Sequence, residues 1–344
     1  MSIRIGKISF WHVHAWDYTK QAQEHGDTEI AAVWDEDAER GRKAAESLNI
    51  PFYDSLEDML ARKDIDAVIV DAPTHMHREV MIAAARAGKH IFTEKVVAAT
   101  LSEVNEILSE IAEHGVKLTV SLPRLNDGYT LSVTDILSQG LLGQITYVRV
   151  RLSHNGATAN WLPEHFYSLE QCQGGALIDL GCHPMYLTRL FLGQEVTGVS
   201  ASFGYVTGKE VEDNAVATLY TDSGAIGVVE AGFVNSYSPF TIEVHGTEGT
   251  LLYGTPEAKL LVRSNKAANQ GAAWNETPVL ANRESAFEQW VAHIQNNTVA
   301  SDNIQAATEL TRLMEAANLS AKAGRVIRLA ELKSCLDPLS GYSA

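Results

Sequence analysis

The sequence is poor in cysteine and in basic residues, and it has no long apolar run. Its three cysteines, Cys172, Cys182 and Cys335, show no CxxC spacing. This argues against a disulfide framework or a zinc knuckle and predicts a reducing, cytoplasmic environment. No segment of about 18 apolar residues occurs and the N-terminus lacks a cleavable apolar leader, so we expect no membrane partner. There are 27 Lys and Arg residues against 43 Asp and Glu, and the net charge of −16 disfavours nucleic-acid partners.

What the chain does contain is an ordinary globular composition over 344 residues, 45% hydrophobic and 20% charged. This length exceeds the ~100 to 200 residues of one typical domain, so we expect two domains with substantial cores. Through residue 120, short β-type runs alternate with helical periodicity, a rhythm typical of parallel strands joined by crossover helices. We therefore predict an α/β fold in which residues 1–122 form a doubly wound, six-stranded Rossmann domain that binds a dinucleotide.

The pattern changes after residue 122. The turns between β-type runs become too short to hold a crossover helix, so these strands should be mostly antiparallel. The runs cover 145–152, 197–205, 215–221, 226–233, 241–245, 250–253 and 260–262. Two amphipathic helices, 285–295 and 303–323, and a short strand at 326–329 close the chain. We assign 123–344 to a second α/β domain in which most strands are antiparallel.

The first strand-to-helix turn departs from the dinucleotide-binding rule. Ser9, Trp11 and His14 occupy the three glycine positions of GxGxxG, so an ordinary turn with an aromatic plug remains an alternative to a diphosphate site. Asp35, at the end of the second strand, is placed to accept hydrogen bonds from an adenosine ribose. The adjacent Glu36 would help to repel a 2′-phosphate, which predicts NAD rather than NADP; alternatively, Asp35 only caps the next helix.

Two more segments end parallel strands, where the ligands of such sheets bind. Residues 71–77 include Pro73, His75 and His77, although both histidines are also compatible with ordinary first-turn positions of a helix. Glu94 and Lys95 follow the next strand. Partial burial would lower the pKa of the Lys95 ammonium group and let it exchange protons with a hydroxyl group, but a solvated ion pair is the alternative.

The strongest constellation runs from Gly174 to Pro184. A Gly-Gly turn leads into a predicted helix on which Asp179 and His183 are four residues apart, so their side chains share one face. A histidine there can take a hydroxyl proton near neutral pH while the carboxylate orients it, or the pair only braces the helix. Further metal ligands would have to come from scattered histidines, so we expect no metal.

These motifs resemble the Gfo/Idh/MocA family of nicotinamide-dependent oxidoreductases, which includes glucose-fructose oxidoreductase and inositol dehydrogenases. The Glu94-Lys95 segment is similar to the family's Glu-Lys-Pro motif, and the Gly-Gly turn before Asp179 and His183 is similar to its substrate-domain signature. The resemblance implies a Rossmann domain, a second domain with an open antiparallel sheet, and a homodimer or homotetramer formed through that sheet.

The resemblance also implies site residues. Lys95, Asp179 and His183 would be catalytic and, with Arg124, would contact a sugar or polyol substrate. NAD would be held by residues of the first domain and by one tryptophan of the second: Ser9, Trp11, His12, Asp35, Pro73, His77, Glu94, Lys95 and Trp161.

Three departures indicate a divergent subgroup. The glycines of the first turn are missing, so Trp11 could collide with the cofactor; Val96 replaces the family proline, so a trans bond before it would shift Lys95; and Leu162 replaces an arginine. The predicted activity is NAD-dependent oxidation of a secondary hydroxyl of a sugar, sugar derivative or cyclitol. The alternatives are a glycosidase or lyase that recycles NAD through transient oxidation, and a non-catalytic sugar or dinucleotide sensor.

Overall fold

The computed structural model describes residues 2–332 and separates into two compact units. The described part of the first unit covers 2–121 and 284–311, and that of the second covers 122–283 and 312–332. Cys335 and the end of the predicted second domain lie outside the described residues.

The described elements, in chain order, are as follows. The strands are β1 Ile3–Ile8, β2 Thr28–Trp34, β3 Phe52–Tyr53, β4 Ala67–Val70, β5 His90–Thr93, β6 Leu118–Val120, β7 Ile145–Ser153, β8 Val196–Gly204, β9 Asn214–Thr221, β10 Ile226–Gly232, β11 Thr241–Gly246, β12 Gly249–Tyr253, β13 Leu260–Ser264, β14 Asn275–Thr277 and β15 Ile327–Arg328. The α-helices are α1 Ala15–Glu24, α2 Ala38–Leu48, α3 Leu56–Leu60, α4 His77–Arg86, α5 Leu101–His114, α6 Gly128–Ser138, α7 Leu169–Cys172, α8 Ala176–Asp179, α9 Cys182–Leu192, α10 Ala286–Gln295 and α11 Ser301–Ala323.

The first unit is built on a parallel sheet. Within residues 2–332 its six strands have the order β3-β2-β1-β4-β5-β6, and each neighbouring pair is parallel. This is the order of the dinucleotide-binding doubly wound fold. All four residues of β4 are buried, as expected of a strand covered by helices on both faces. The predicted Rossmann domain is confirmed.

Helix α10 belongs to this first unit, although the sequence analysis assigned it to the second domain. Phe287 and Trp290 of α10 pack on Phe92 of β5, with ring centroids 5.6 Å apart in each pair. Trp290 is fully buried. The apolar face of α10 therefore completes the core on one side of the parallel sheet, a long-range contact that periodicity does not reveal.

The second unit contains the large, mostly antiparallel sheet that the sequence predicts. Within the described residues its nine strands have the order β14-β13-β12-β11-β7-β10-β9-β8-β15, and β7 with β10 is its parallel pair. On β7, the side chains of Val148 and Val150 are buried while those of Arg149 and Arg151 are only half-buried, so the sheet has one apolar face. No helix of the described chain is both long and apolar enough to cross a bilayer.

A buried ion pair lies between two central strands of the first unit. Lys7 of β1 contacts the carboxylate of Asp71, the residue after β4, and neither side chain is exposed. Burial lowers the pKa of Lys7 well below its usual value, although the charges of Glu94 and Asp35 oppose this effect. The backbone of Asp71 also accepts the N–H of His12 at 3.1 Å and donates to Ile8 at 2.9 Å. The pair therefore supports the turn after β1.

We expect Lys7→Met to lower the free energy of unfolding by about 3 to 5 kcal/mol, because it leaves the Asp71 carboxylate buried without a cation. The double variant Lys7→Met/Asp71→Ala should recover part of this loss, since it removes both charges. Urea denaturation of the three proteins measures the effect. If the single and double variants lose the same free energy of unfolding, Lys7 does not stabilise the buried Asp71 carboxylate and the prediction is wrong.

Candidate active site

In the turn after β1, where the family has glycines, a side-chain hydrogen bond holds the backbone. Ser9 takes the left-handed conformation, with φ of +69°, at the position of the first family glycine. Its N–H donates to Trp34 O at 2.7 Å, and its Oγ accepts the N–H of Trp11 at 3.0 Å. Trp11, which the sequence analysis placed against the cofactor, is only 5% exposed.

The start of α1 keeps a feature that suits a diphosphate. Its N-cap residue, His14, makes no side-chain capping hydrogen bond, and uncapped N–H groups at a helix start attract anions. The His14 ring instead contacts Asp17, with Nδ1 and Oδ2 3.1 Å apart. The turn and α1 therefore fit a dinucleotide despite the missing glycines.

Asp35 lies at the predicted ribose position after β2, but its carboxylate already has partners. It accepts the N–H of Phe10 and that of Asp37, each at 2.8 Å, and it pairs with Arg40 at 2.6 and 3.0 Å. Asp37, not Asp35, caps α2, so the capping alternative for Asp35 is wrong. Arg40 also pairs with Glu36. Two carboxylates against one guanidinium still leave this end of β2 negative, which suits NAD better than NADP.

His77 joins the ends of β4 and β5 through its ring. Nδ1 lies 2.9 Å from Val96 O, and Nε2 lies 3.0 Å from Ala72 O. The side chain is 1% exposed, and burial lowers the pKa of His77 although the contacts with backbone carbonyls oppose this. His77 therefore positions the segment after β5, and its predicted contact with the cofactor stays a prediction.

Two other predictions concern the residues beside His77. Pro73 is buried ahead of α4, whereas His75 is exposed, as expected of an ordinary first-turn residue. The Lys95–Val96 peptide bond is cis. The trans bond that would have shifted Lys95 is therefore absent, although Val96 replaces the family proline.

Glu94, after β5, is a buried carboxylate held by its neighbours. Its Oε2 accepts the N–H of Lys95 at 2.9 Å, and its Oε1 accepts the hydroxyl of Tyr18 and lies 3.6 Å from His12 Nδ1. Burial alone would raise the pKa of Glu94, but the charges of His12, Lys95 and His14 and the Tyr18 hydrogen bond outweigh it and lower that pKa to about 2. Lys95 is 7% exposed, which excludes the solvated ion pair.

The Gly-Gly turn of the second unit is closed by a buried glutamate that the sequence analysis missed. Glu212 accepts the N–H of Gly175 at 2.9 Å and that of Leu177 at 3.0 Å, which satisfies the start of α8. A Cβ on Gly175 would lie 2.1 Å from Glu212 O, so only glycine fits there. Burial raises the pKa of Glu212, against the effect of these backbone hydrogen bonds.

Asp179 and His183 lie on two short helices rather than on the single predicted one. Asp179 ends α8 and His183 lies in the first turn of α9, and Leu180 and Gly181 separate the two helices. A Cβ on Gly181 would come within 2.5 Å of Leu177 O, so glycine permits this tight break. Burial lowers the pKa of His154, while the charge of Asp179 opposes that effect, which identifies His154 as an electrostatic partner of Asp179.

His183 is held by a tyrosine one turn along α9. His183 Nδ1 and the Tyr186 hydroxyl oxygen are 2.9 Å apart, and both residues are buried. Burial raises the pKa of Tyr186 well above its usual value, so its hydroxyl stays protonated at neutral pH. The same oxygen accepts the N–H of Arg124 at 3.2 Å. The i, i+3 spacing of His183 and Tyr186 on a predicted helix is the sequence signal from which this contact could have been predicted.

The two remaining predicted site residues lie in aromatic surroundings of the second unit. The Arg124 guanidinium donates to the Tyr129 hydroxyl at 2.9 Å and lies 4.5 Å from the Phe240 ring centre, so its side chain packs against these rings. Trp161 is 54% exposed, its Nε1–H donates to Asn155 at 3.1 Å, and its ring lies 4.6 Å from that of His154.

His77 should make stability depend on pH. Its pKa is lowered in the folded chain, so its contribution to the free energy of unfolding is complete above the unfolded pKa of 6.5 and is lost as the pH falls toward the folded value. Between about pH 7.5 and about pH 5.5 we expect wild type to lose more stability than His77→Asn, which has no titratable ring. Urea denaturation of both, with His114→Gln as an exposed-histidine control, measures this. Parallel pH profiles for wild type and His77→Asn would contradict it.

Comparison with known proteins covers both units. Residues 5–122 match the family model described as oxidoreductase family, NAD-binding Rossmann fold, and residues 130–252 match the GFO/IDH/MocA C-terminal domain. The chain is 32% identical to 1,5-anhydro-D-fructose reductase of Ensifer adhaerens over 233 aligned residues. This alignment covers 65% of this chain and 68% of that protein. It is 26% identical to myo-inositol 2-dehydrogenase of Thermotoga maritima, over 78% of this chain and 81% of that one.

A solved structure shows the same fold. The NAD-binding protein from Listeria innocua aligns over 95% of this chain and 97% of its own, with a TM-score of 0.81 and 24% identity. Because the Rossmann family model is that of NAD-binding domains, the predicted NAD cofactor is confirmed. The chain belongs to the Gfo/Idh/MocA family of NAD-binding oxidoreductases.

Proposed function

We propose that the protein catalyses the reversible, NAD-dependent oxidation of a secondary hydroxyl group of a sugar, sugar derivative or cyclitol. The family supports oxidoreductase chemistry, and two relatives are named for an anhydro sugar and an inositol. The observation that carries the proposal is the buried contact between His183 and Tyr186. It fixes one nitrogen of an imidazole and thereby orients the other for proton transfer.

The proton chemistry follows from that contact. In the tautomer that can act as a base, His183 Nδ1–H donates to the Tyr186 oxygen, and Nε2 accepts the proton of the substrate hydroxyl. Lys95 donates a hydrogen bond to the developing alkoxide, and Asp179 holds the neighbouring hydroxyl. NAD, when bound beside these residues, would provide the hydride acceptor for the oxidation and the hydride donor for the reverse reaction. In the reverse direction, His183 returns the proton to the alkoxide as the ketone is reduced.

The residues assigned to NAD form part of the same proposal. The turn with Ser9, Trp11 and His12 and the uncapped start of α1 would take the diphosphate. Asp35 would take the adenosine ribose in exchange for its contact with Arg40, and Glu94 would lie at the nicotinamide ribose. Pro73, His77, Lys95 and Trp161 complete the proposed set, and Arg124 would contact the substrate.

Assembly and location are further parts of the proposal. The side chain of Arg149 on β7 pairs with Glu230 on β10 at 2.8 Å and with Glu243 on β11 at 3.0 Å. These paired charges make one sheet face of the second unit polar, and we propose that a homodimer or homotetramer forms across it. Within the described residues Cys172 and Cys182 form no disulfide, which supports a cytoplasmic location.

We expect His183→Ala to lower kcat by about 10² to 10⁴-fold, the usual contribution of a positioned acid or base. NAD affinity should be nearly unchanged. Initial NADH formation over a panel of sugars and inositols, with calorimetric NAD titration, measures both quantities. Tyr186→Phe should give a smaller loss and a shifted pH profile, and the exposed His114→Gln should match wild type. Unchanged turnover in His183→Ala would remove this residue from the mechanism.

The same assays separate the alternative functions. Net NADH accumulation supports a dehydrogenase, whereas product release with only catalytic NAD would indicate a glycosidase or lyase. Saturable NAD binding without turnover over the whole panel would indicate a sensor. Binding of neither NAD nor NADP would overturn all three functions.

We expect Asp35→Ser to weaken NAD binding by about 10-fold or more, because a hydrogen bond to a charged group contributes roughly 1.5 to 3 kcal/mol. The affinity for NADP should change less, so the difference in affinity between NAD and NADP becomes smaller. Calorimetric titration of wild type and variant with each cofactor gives the ratio, and Asp54→Ser, at an exposed site, serves as the control. A wild type that prefers NADP would contradict the ribose assignment.

A further inference from the structure

Three potential metal ligands meet at the turn after β1, a place where the sequence analysis expected no metal. One ligand atom from each of His12, His14 and Glu94 lies within 4.8 Å of the others. We propose that these side chains bind a divalent transition-metal cation of the Zn²⁺ class. This inference does not depend on the proposed function, because it concerns the chain without dinucleotide.

The distances need only a small adjustment. Ligand atoms 2.0 to 2.2 Å from a tetrahedral cation lie roughly 3.3 Å apart. His12 Nδ1 and Glu94 Oε1 are already 3.6 Å apart, and since no separation in the set exceeds 4.8 Å, none has to close by more than about 1.5 Å. His14 makes this movement feasible, because its side chain is 48% exposed and can rotate without disturbing a core.

Two of the ligand groups are prepared for a cation by their neighbours. His12 Nδ1 accepts the N–H of His14 at 3.3 Å, so that nitrogen is unprotonated, and a bound cation would take its lone pair in place of this long hydrogen bond. The same nitrogen faces the carboxylate oxygen of Glu94 at a distance beyond an ordinary hydrogen bond. Tyr18 and the N–H of Lys95 hold the Glu94 carboxylate in place.

The third ligand has the outer partner that is typical of a metal-bound histidine. Such a histidine usually donates its other ring N–H to a carboxylate, which fixes its tautomer and orientation. His14 has this arrangement, since its Nδ1 lies 3.1 Å from Asp17 Oδ2, and Nε2 would then be the metal ligand. The exposed His14 also provides the entry path.

The donor set selects the class of metal. Two imidazoles with one carboxylate form the His₂Glu set of zinc sites that keep an open fourth position. Imidazole favours Zn²⁺, Co²⁺, Ni²⁺ and Cu²⁺, whereas Mg²⁺ and Ca²⁺ prefer all-oxygen sites. Because two of the ligands are buried, only the solvent side remains for a water molecule.

The test is a metal titration of the full chain, dialysed against a chelator and free of dinucleotide. Calorimetry with Zn²⁺ should give one cation per chain, and Co²⁺ should produce visible d–d absorption of tetrahedral intensity. Mg²⁺ should give no saturable heat. Wild type without stoichiometric Zn²⁺ binding, or with a purely octahedral Co²⁺ spectrum, would overturn the proposal.

Variants on the exposed side of the site keep the fold intact. His14→Gln removes a ligand and should abolish the tetrahedral Co²⁺ spectrum. Asp17→Asn leaves the ligands but weakens the outer contact, so it should reduce Zn²⁺ affinity by about 10 to 100-fold. His114→Gln, which changes an exposed histidine on α5, should bind as wild type does. If His14→Gln binds Zn²⁺ as tightly as wild type, the cation lies elsewhere and the proposal is wrong.

Discussion

The constraint on which the first unit depends is that a charge removed from water must find a partner. At the carboxyl ends of its parallel strands, carboxylates lie in positions with almost no solvent contact: Asp35 after β2, Asp71 after β4 and Glu94 after β5. Each is compensated differently, by Arg40, by Lys7, and by Tyr18 with His12. Since an uncompensated buried charge costs several kcal/mol, these pairs fix the loops that follow the strands.

The second unit satisfies the same constraint with hydrogen bonds rather than ion pairs. Glu212 takes two backbone N–H groups of the Gly-Gly turn, and Tyr186 links the backbone of Arg124 to the ring of His183. The break between α8 and α9 therefore lies between two anchored ends. An imidazole held in this way loses little rotational freedom when it takes part in proton transfer, which is the usual benefit of a preorganised site.

The missing glycines have a local explanation. Ser9 adopts the left-handed backbone conformation that the turn requires, and its hydroxyl oxygen contributes a hydrogen bond that glycine could not make. The conformational cost to a residue with a Cβ is offset because the surrounding strands hold the turn closed. Replacing the other glycines with Trp11 and His14 then brings aromatic and imidazole side chains to the edge where a dinucleotide fold normally presents only backbone.

The sequence alone predicts the alternation of strands and helices, the parallel and antiparallel character of the two sheets, and the family. Hydrophobic periodicity, turn spacing and the two motifs are local signals, and local signals are what a sequence displays. The folded structure was needed to show that α10 packs on Phe92, that Arg40 pairs with Asp35, and that His12 and His14 lie beside Glu94. The contacts of α10 with Phe92 and of the two histidines with Glu94 join residues distant in the chain, while Arg40 reaches Asp35 from the first turn of α2. Burial and charge compensation select these contacts only after the sheet has formed.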